Sequence, residues 1–339
     1  MSDLLPIDRL RPFLEAEMGI KGTITAEKTT TGQSNPTFVI SAGRNKMVLR
    51  RKPPGKLLKS AHAVDREFRV MQALSGHAVV PKMYVYCDDE SIIGSAFYIM
   101  EFIDGDTFDD PAMPEKSSDV RAKVYDQMNA ALAGLHKLDP AALGLADYGK
   151  PGNYFQRQLS RWSAQYDATA TETISAVDRL IRWLGDYMPP DDGKVALVHG
   201  DWRIDNLLFD RKNNALQAIL DWELSTIGHP FADLGAQLMQ WAMPPGELGR
   251  GLSGVNRAEL GLPTDEEYVR LYADRAGLAQ PPEMTFYVVF AFFRMAAILQ
   301  GVKKRAMDGN ASNAEKGLML GRYVPVLAEK AWERISAAR

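Results

Sequence analysis

The chain has 339 residues, 46% hydrophobic and 24% charged, enough to bury the cores of two lobes. A formal net charge of −3 without a concentrated basic stripe argues against a nucleic-acid partner, and a single cysteine, Cys87, excludes an internal disulfide. No charged-then-apolar leader opens the sequence, and the most apolar run, Phe286 to Leu299, carries Arg294 and is short for a bilayer; no membrane and a reducing, cytoplasmic setting are expected.

In chain order, Ile7, Leu10, Phe13, Leu14 and Met18 recur at helical spacing. The threonine-rich stretch 23–30 reads as a strand. The polar loop Thr31-Gly-Gln-Ser-Asn-Pro36 interrupts it, and Thr37 to Ile40 and Lys46 to Arg51 resume the extended pattern across a turn at 42–45. Strand alternation sets Val48 and Arg50 on one face. A helix from about His62 to Leu74 carries Glu67. Stretches 78–86 and 97–103, separated by the polar turn Asp88-Asp-Glu90, add strands that complete a five-stranded antiparallel sheet carrying one helix. Cys87 reads as a small strand residue.

Beyond a polar linker at 111–119, Val120 to Lys137 has the apolar period of a buried helix, and His136 near its end is expected to be structural. Stretches 152–165 and 171–187 read as helices rich in Trp162, Tyr166 and Trp183, suited equally to core or to a substrate pocket. Stretches 266–275, 284–307 and 314–336 read as three further helices, and the glycine-rich 246–263 as a mobile loop near the site.

The centre of the chain is Leu197-Val-His-Gly-Asp-Trp-Arg-Ile-Asp-Asn-Leu-Leu-Phe209, followed by Ala218-Ile-Leu-Asp-Trp-Glu223. Apolar strands that end on carboxylates and an amide need a partner, because an unpaired ionised group off water is costly. A divalent cation carrying a phosphate is one such partner: Asn206 and Asp221 are hard oxygen ligands, while Asp201 stands earlier, free to receive a proton. A hairpin with capping Asp and Asn side chains is the competing reading.

The spacing His199-x-Asp201-x-x-x-x-Asn206, with Asp221 closing a later apolar strand, resembles the catalytic core of the protein-kinase-like superfamily. The wording His-Gly-Asp and Asp-Trp-Glu is similar to the aminoglycoside phosphotransferase and choline kinase branch. Gly32-Gln-Ser-Asn-Pro-Thr37, Arg50-Arg-Lys-Pro-Pro-Gly-Lys-Leu-Leu58 and 61–68 resemble its kinase-like domain fused to certain acyl-CoA dehydrogenases. The resemblance implies an α+β bilobal fold, with a nucleotide lobe at 1–104 and a helical lobe at 105–339. It implies ATP and Mg2+, with Asp201 as base, Asn206 and Asp221 on the metal, and Glu223 in an outer contact.

Further roles follow from the same resemblance. Gly32, Gln33, Ser34 and Asn35 would meet the nucleotide phosphates, Val48 would floor the adenine, and the backbone of Glu101 and Phe102 would meet its edge. Arg50 stands where protein kinases carry a lysine, with Glu67 as its partner. Arg203 would stabilise the transferred charge, with a salt bridge to Asp205 as its other reading; Asp205 itself is expected to be solvated or turn-forming. His199 would hold the loop and Asp233 would brace it. The implied acceptor is the hydroxyl of a small molecule, including a hydroxyacyl-CoA or hydroxy acid, with an acyl-CoA dehydrogenase as partner. A catalytically weak or inactive nucleotide-binding scaffold is the alternative.

Overall fold

β-Branched and aromatic residues suit a pleated, half-buried surface, and Thr37–Ala42 forms such a strand, β2, burying Phe38, Ile40 and Ala42 on one face. The structure is a computed structural model and describes residues 5–29, 35–53, 63–246, 249–310 and 313–338. It divides into two units. Unit 1 comprises residues 1–106, 143–145 and 206–225, and unit 2 comprises 107–142, 146–205 and 226–339. Unit 1 is therefore discontinuous in sequence, whereas the sequence reading places a single boundary after residue 104.

Unit 1 contains α1 (Ile7–Met18), β1 (Ile24–Lys28), β2, β3 (Asn45–Arg51), α2 (Val64–Leu74), β4 (Met83–Cys87), α3 (Glu90–Ile93) and β5 (Phe97–Glu101). The strands form the expected five-stranded antiparallel sheet, in the order β1-β2-β3-β5-β4. Leu10 and Leu14 of α1 share one core with Phe38, Ile40, Leu49, Phe97 and Ile99, so a helix besides α2 packs on this sheet. The polar turn at Asp88-Asp-Glu90 instead starts the one-turn helix α3, because the Asp89 carboxylate accepts the Ser91 N–H at 2.9 Å. Strands β7 (Leu207–Phe209) and β8 (Leu216–Ile219) form a hairpin in the same unit. Gly105 is required beside it, since a Cβ there would lie 2.6 Å from the Phe209 carbonyl oxygen.

Unit 2 is mainly helical: α4 (Ser118–Lys137), α5 (Tyr154–Thr169), α6 (Ser175–Asp186), α7 (Phe231–Trp241), α8 (Arg257–Leu260), α9 (Asp265–Ala276), α10 (Thr285–Met307), α11 (Ala314–Gly321) and α12 (Tyr323–Ala337). Its short strands β6 (Ala196–Val198) and β9 (Thr226–Gly228) pair antiparallel. Helix α10 is central, with Phe286, Val289, Phe290, Phe293, Ala296 and Ala297 buried against neighbouring helices. At 23 residues it is long and apolar enough to cross a membrane, which corrects the expectation of a run too short to do so; 67% of its most apolar window is nevertheless buried in the protein.

Two expectations in this unit are corrected. The segment 314–336 is two helices, because Pro325, which has no N–H to donate, is accommodated in the first turn of a new helix, α12. The glycine-rich 246–263, expected as a loop, contains a short helix. Its described residues include α8, and Gly251, Leu252 and Ser253 donate their N–H groups to Pro244, Trp241 and Met243 carbonyls.

Candidate active site

Sequence alternation delivers Arg50 to the interior of unit 1, where a buried guanidinium must be neutralised. Its Nε lies 3.2 Å from Glu67 Oε2 on α2, and the same guanidinium reaches Asp221 Oδ1 at 2.8 Å and Glu223 Oε2 at 3.5 Å. The Tyr98 hydroxyl of β5 and the Asn35 amide both donate to Glu67, at 3.0 and 2.8 Å. Burial pushes the Glu67 carboxyl up to about 7, with Arg50 pulling the other way. Burial also raises the Tyr98 phenol, and the adjacent Glu67 raises it further. Arg50 stays charged: burial alone would lower it, and Tyr98, Glu67, Asp221 and Glu223 together outweigh that effect.

Asp221 does not end an extended strand that continues to Glu223. Strand β8 stops at Ile219, and Asp221 adopts the left-handed conformation at φ 62° and ψ 62°, an uncommon state for a non-glycine residue. A 3-10 turn, Trp222–Leu224, follows. Trp222 is fully buried and its Nε1 donates to the Ile219 carbonyl at 3.0 Å, pinning the turn. Glu223 thus reaches Arg50 through a tight turn rather than through strand alternation.

The Leu220 N–H donates to the Asn206 carbonyl at 2.8 Å, which tethers the backbones on which Asn206 and Asp221 sit. Among the described residues no group of three or more His, Cys, Asp or Glu side chains could hold a metal alone. One amide and one carboxylate oxygen nevertheless fit Mg2+, which keeps much of its shell for phosphate and water. The hub's charge fits as well, since Glu67, Asp221 and Glu223 surround a single guanidinium.

In unit 2 the chain leaves β6 at Val198 and turns at once, with Gly200 at φ 85° supplying a conformation that side chains resist. The N–H groups of His199 and Gly200 donate to the two oxygens of Asp233 at 2.7 and 2.8 Å. Asp233 lies in the first turn of α7, fully buried, with His136 Nε2 3.2 Å away and Tyr272 hydroxyl against the other His136 nitrogen at 2.7 Å. Burial alone would raise this carboxyl; the His136 bond, the charges of His136 and His199 and the Gly200 N–H hold it below the usual range. The Asp201 N–H donates to His199 Nδ1 at 3.3 Å.

Arg203 bridges the loop carboxylates, with Nε 3.2 Å from Asp201 Oδ1 and a terminal nitrogen 3.2 Å from Asp205 Oδ2. Asp205 lies in the 3-10 turn Ile204–Asn206, in line with the turn-forming expectation, and is not solvated. Its side chain is largely buried, paired at 2.8 Å with Arg250 from the glycine-rich stretch, and burial raises its carboxyl despite both arginines. The Arg294 guanidinium of α10 donates to the Gly200 carbonyl at 3.0 Å.

Of the other sequence-predicted residues, Gly32, Gln33 and Ser34 lie outside the described residues. Asn35 is buried and turns its amide to Glu67 and, at 3.4 Å, to Glu223. Val48 is half-buried on β3. The Glu101 N–H is committed to the Lys82 carbonyl at 2.8 Å, and Lys46 lies over the Phe102 ring. Tyr98, Arg250 and Arg294 were missed. The only signal for the last was a charge set within an apolar helix.

The fold is that of the protein-kinase-like phosphotransferases. A family model for the phosphotransferase enzyme family matches residues 25–277, and the chain belongs to that family. It is 41% identical over 333 residues to acyl-CoA dehydrogenase family member 10 of Mus musculus, covering 97% of this chain and 31% of that protein. It is 39% identical over 313 residues to family member 11 of Homo sapiens, covering 91% of this chain and 40% of that one. The chain thus spans well under half the length of these curated relatives.

Among solved structures, a Ralstonia eutropha protein provisionally named an aminoglycoside phosphotransferase is 43% identical, with a TM-score of 0.88 over 98% of this chain and 99% of that one. A spectinomycin phosphotransferase in complex with ADP and spectinomycin shares the fold, at 12% identity and a TM-score of 0.63, covering 96% of this chain and 98% of that one.

Proposed function

We propose that this chain transfers the γ-phosphoryl group of ATP to a hydroxyl of a small molecule. The observation that carries this reading is the anchoring of the Asp201 loop. A fully buried carboxylate, Asp233, accepts the two N–H groups that immediately precede Asp201. Such rigid placement of one carboxylate suits a base that must meet a hydroxyl at a defined point.

In this mechanism Asp201 orients the acceptor hydroxyl and takes its proton as the oxygen bonds to phosphorus and the bond to ADP breaks. Arg203 holds Asp201 in place and offsets negative charge during transfer. Arg50, fixed by Glu67, offers a planar fork to phosphate oxygens. Asn206 and Asp221 would hold Mg2+, which when bound neutralises phosphate charge. ADP in the spectinomycin enzyme supports nucleotide use.

The dehydrogenase-named relatives favour a hydroxyacyl-CoA or hydroxy acid as acceptor and a dehydrogenase as partner. The test is to follow ADP release and acceptor phosphorylation by mass spectrometry with hydroxyacyl-CoAs, free hydroxy acids, amino alcohols and aminoglycosides. Acceptor-dependent ADP release is expected. Tight ATP binding without turnover of any member would replace this reading with that of a nucleotide-binding scaffold.

A further inference from the structure

Resting on the phosphotransferase reading, the geometry points to an anion-binding subsite in unit 2, formed by Arg161, Trp162 and Arg294, that selects an acceptor alcohol bearing a carboxylate or phosphate. Arg294 is the sole charge in the stretch Thr285 to Gln300. Its guanidinium is half-buried and donates to the Gly200 carbonyl at 3.0 Å, the carbonyl of the peptide that leads into Asp201. It also lies 5.8 Å from the centre of the Trp162 ring on α5, and Arg161 lies 5.3 Å from the same ring.

These two cations differ from their neighbours. Arg203 and Arg250 are paired with loop carboxylates, and Lys303 and Lys304 with Glu172 and Asp308. Among the described residues no carboxylate pairs with Arg161 or Arg294. Helix α10 carries no acid and α5 carries only Asp167.

The same field acts on the buried Tyr154 phenol. Burial raises it, and Asp233 adds to that, whereas Arg294, Arg157 and Arg161 pull it back. Guanidinium groups held on an indole face and lacking a counter-ion are arranged for a planar or tetrahedral anion. A polycationic acceptor would be repelled there. A carboxylate on the acceptor and the phosphates of a coenzyme A tail are the two sources of such an anion.

The test uses the full chain with 3-hydroxybutyrate, its neutral amide, 3-hydroxybutyryl-CoA and free coenzyme A. Calorimetric binding is measured without nucleotide, and kcat/KM with ATP. Wild type is expected to favour an anionic member over the amide at least tenfold. R161E, a change at an exposed position, should cut that preference about tenfold, with R161K retaining most of it.

Preference for 3-hydroxybutyrate would identify the carboxylate as the anion, whereas salt-sensitive binding of both CoA compounds would identify the tail. Equal use of the acid, the amide and the CoA ester, or a preference that survives R161E, overturns the subsite and leaves the phosphotransferase reading standing. Anion binding that R161E weakens, with no acceptor phosphorylated, supports the subsite and overturns the phosphotransferase reading. An absence of both binding and preference overturns the subsite.

Discussion

In unit 1 the buried Arg50 guanidinium is outnumbered by carboxylates, with Glu67, Asp221 and Glu223 all on it. In unit 2 the buried Asp233 carboxylate is surrounded by donors, two of them backbone N–H groups. The first cluster carries surplus negative charge and is suited to accept a cation with its phosphates. The second is closed and satisfied, and it holds a loop still. One buried charge is therefore arranged for exchange and the other for permanence.

The largest effect should come from the residue that the closed cluster positions. D201N should lower turnover by about 10²–10⁴-fold while leaving nucleotide affinity within a few-fold. Full activity in that variant, read by coupled ADP release, would remove Asp201 as base. D233A should next cost about 3–5 kcal/mol in urea unfolding, because the N–H groups of His199 and Gly200 lose a buried acceptor. A loss under about 1 kcal/mol would mean that the anchor is dispensable.

The depressed Asp233 carboxyl adds a pH signature. Its stabilisation is present above the unfolded value, about 3.9, and is lost as pH falls through the lower folded value. Acid unfolding scans of wild type should therefore steepen below about pH 4, and D233N should flatten that limb.

R50M should cost less than D233A, about 2–3 kcal/mol, because Glu67 can escape by taking up a proton whereas backbone N–H groups cannot. Without Arg50 to oppose burial the Glu67 carboxyl of that variant stays raised, so its contribution is fully present below the unfolded value, about 4.3, and is lost as pH rises from there through the folded value. Unfolding at pH 6 and 8 reads the difference, and equal loss at both would break the contrast between the clusters. Smallest is Y98F, about 1–2 kcal/mol, since Asn35 and Arg50 remain on Glu67.

Much of this was legible from residue order. Alternating apolar residues mark the sheet, and the spacing of His199, Asp201 and Asn206 marks the loop. The pairing of Arg50 with Glu67 is what the kinase resemblance implies, and the structure has it at 3.2 Å. Other features were hidden for physical reasons. Period-2 alternation in Ala218-Ile-Leu-Asp-Trp-Glu223 does not register a left-handed backbone, so the turn at Asp221 read as more strand. Asp205 looked solvated because Arg250 stands in a glycine-rich stretch far along the chain. The Asn35 amide belongs to a loop motif locally, yet its partner Glu67 is on a helix.

The discontinuity of unit 1 has a consequence for biosynthesis. Domains usually close in order as they leave the ribosome, at about 5–20 residues per second. Here residues 206–225 belong to the unit that starts the chain, so its sheet emerges well before its last hairpin. For roughly 6–24 s of translation, Arg50 has Glu67 but lacks Asp221 and Glu223. A nascent chain stalled in that interval presents an unfinished nucleotide half, which makes this stretch of synthesis the natural point for chaperone engagement.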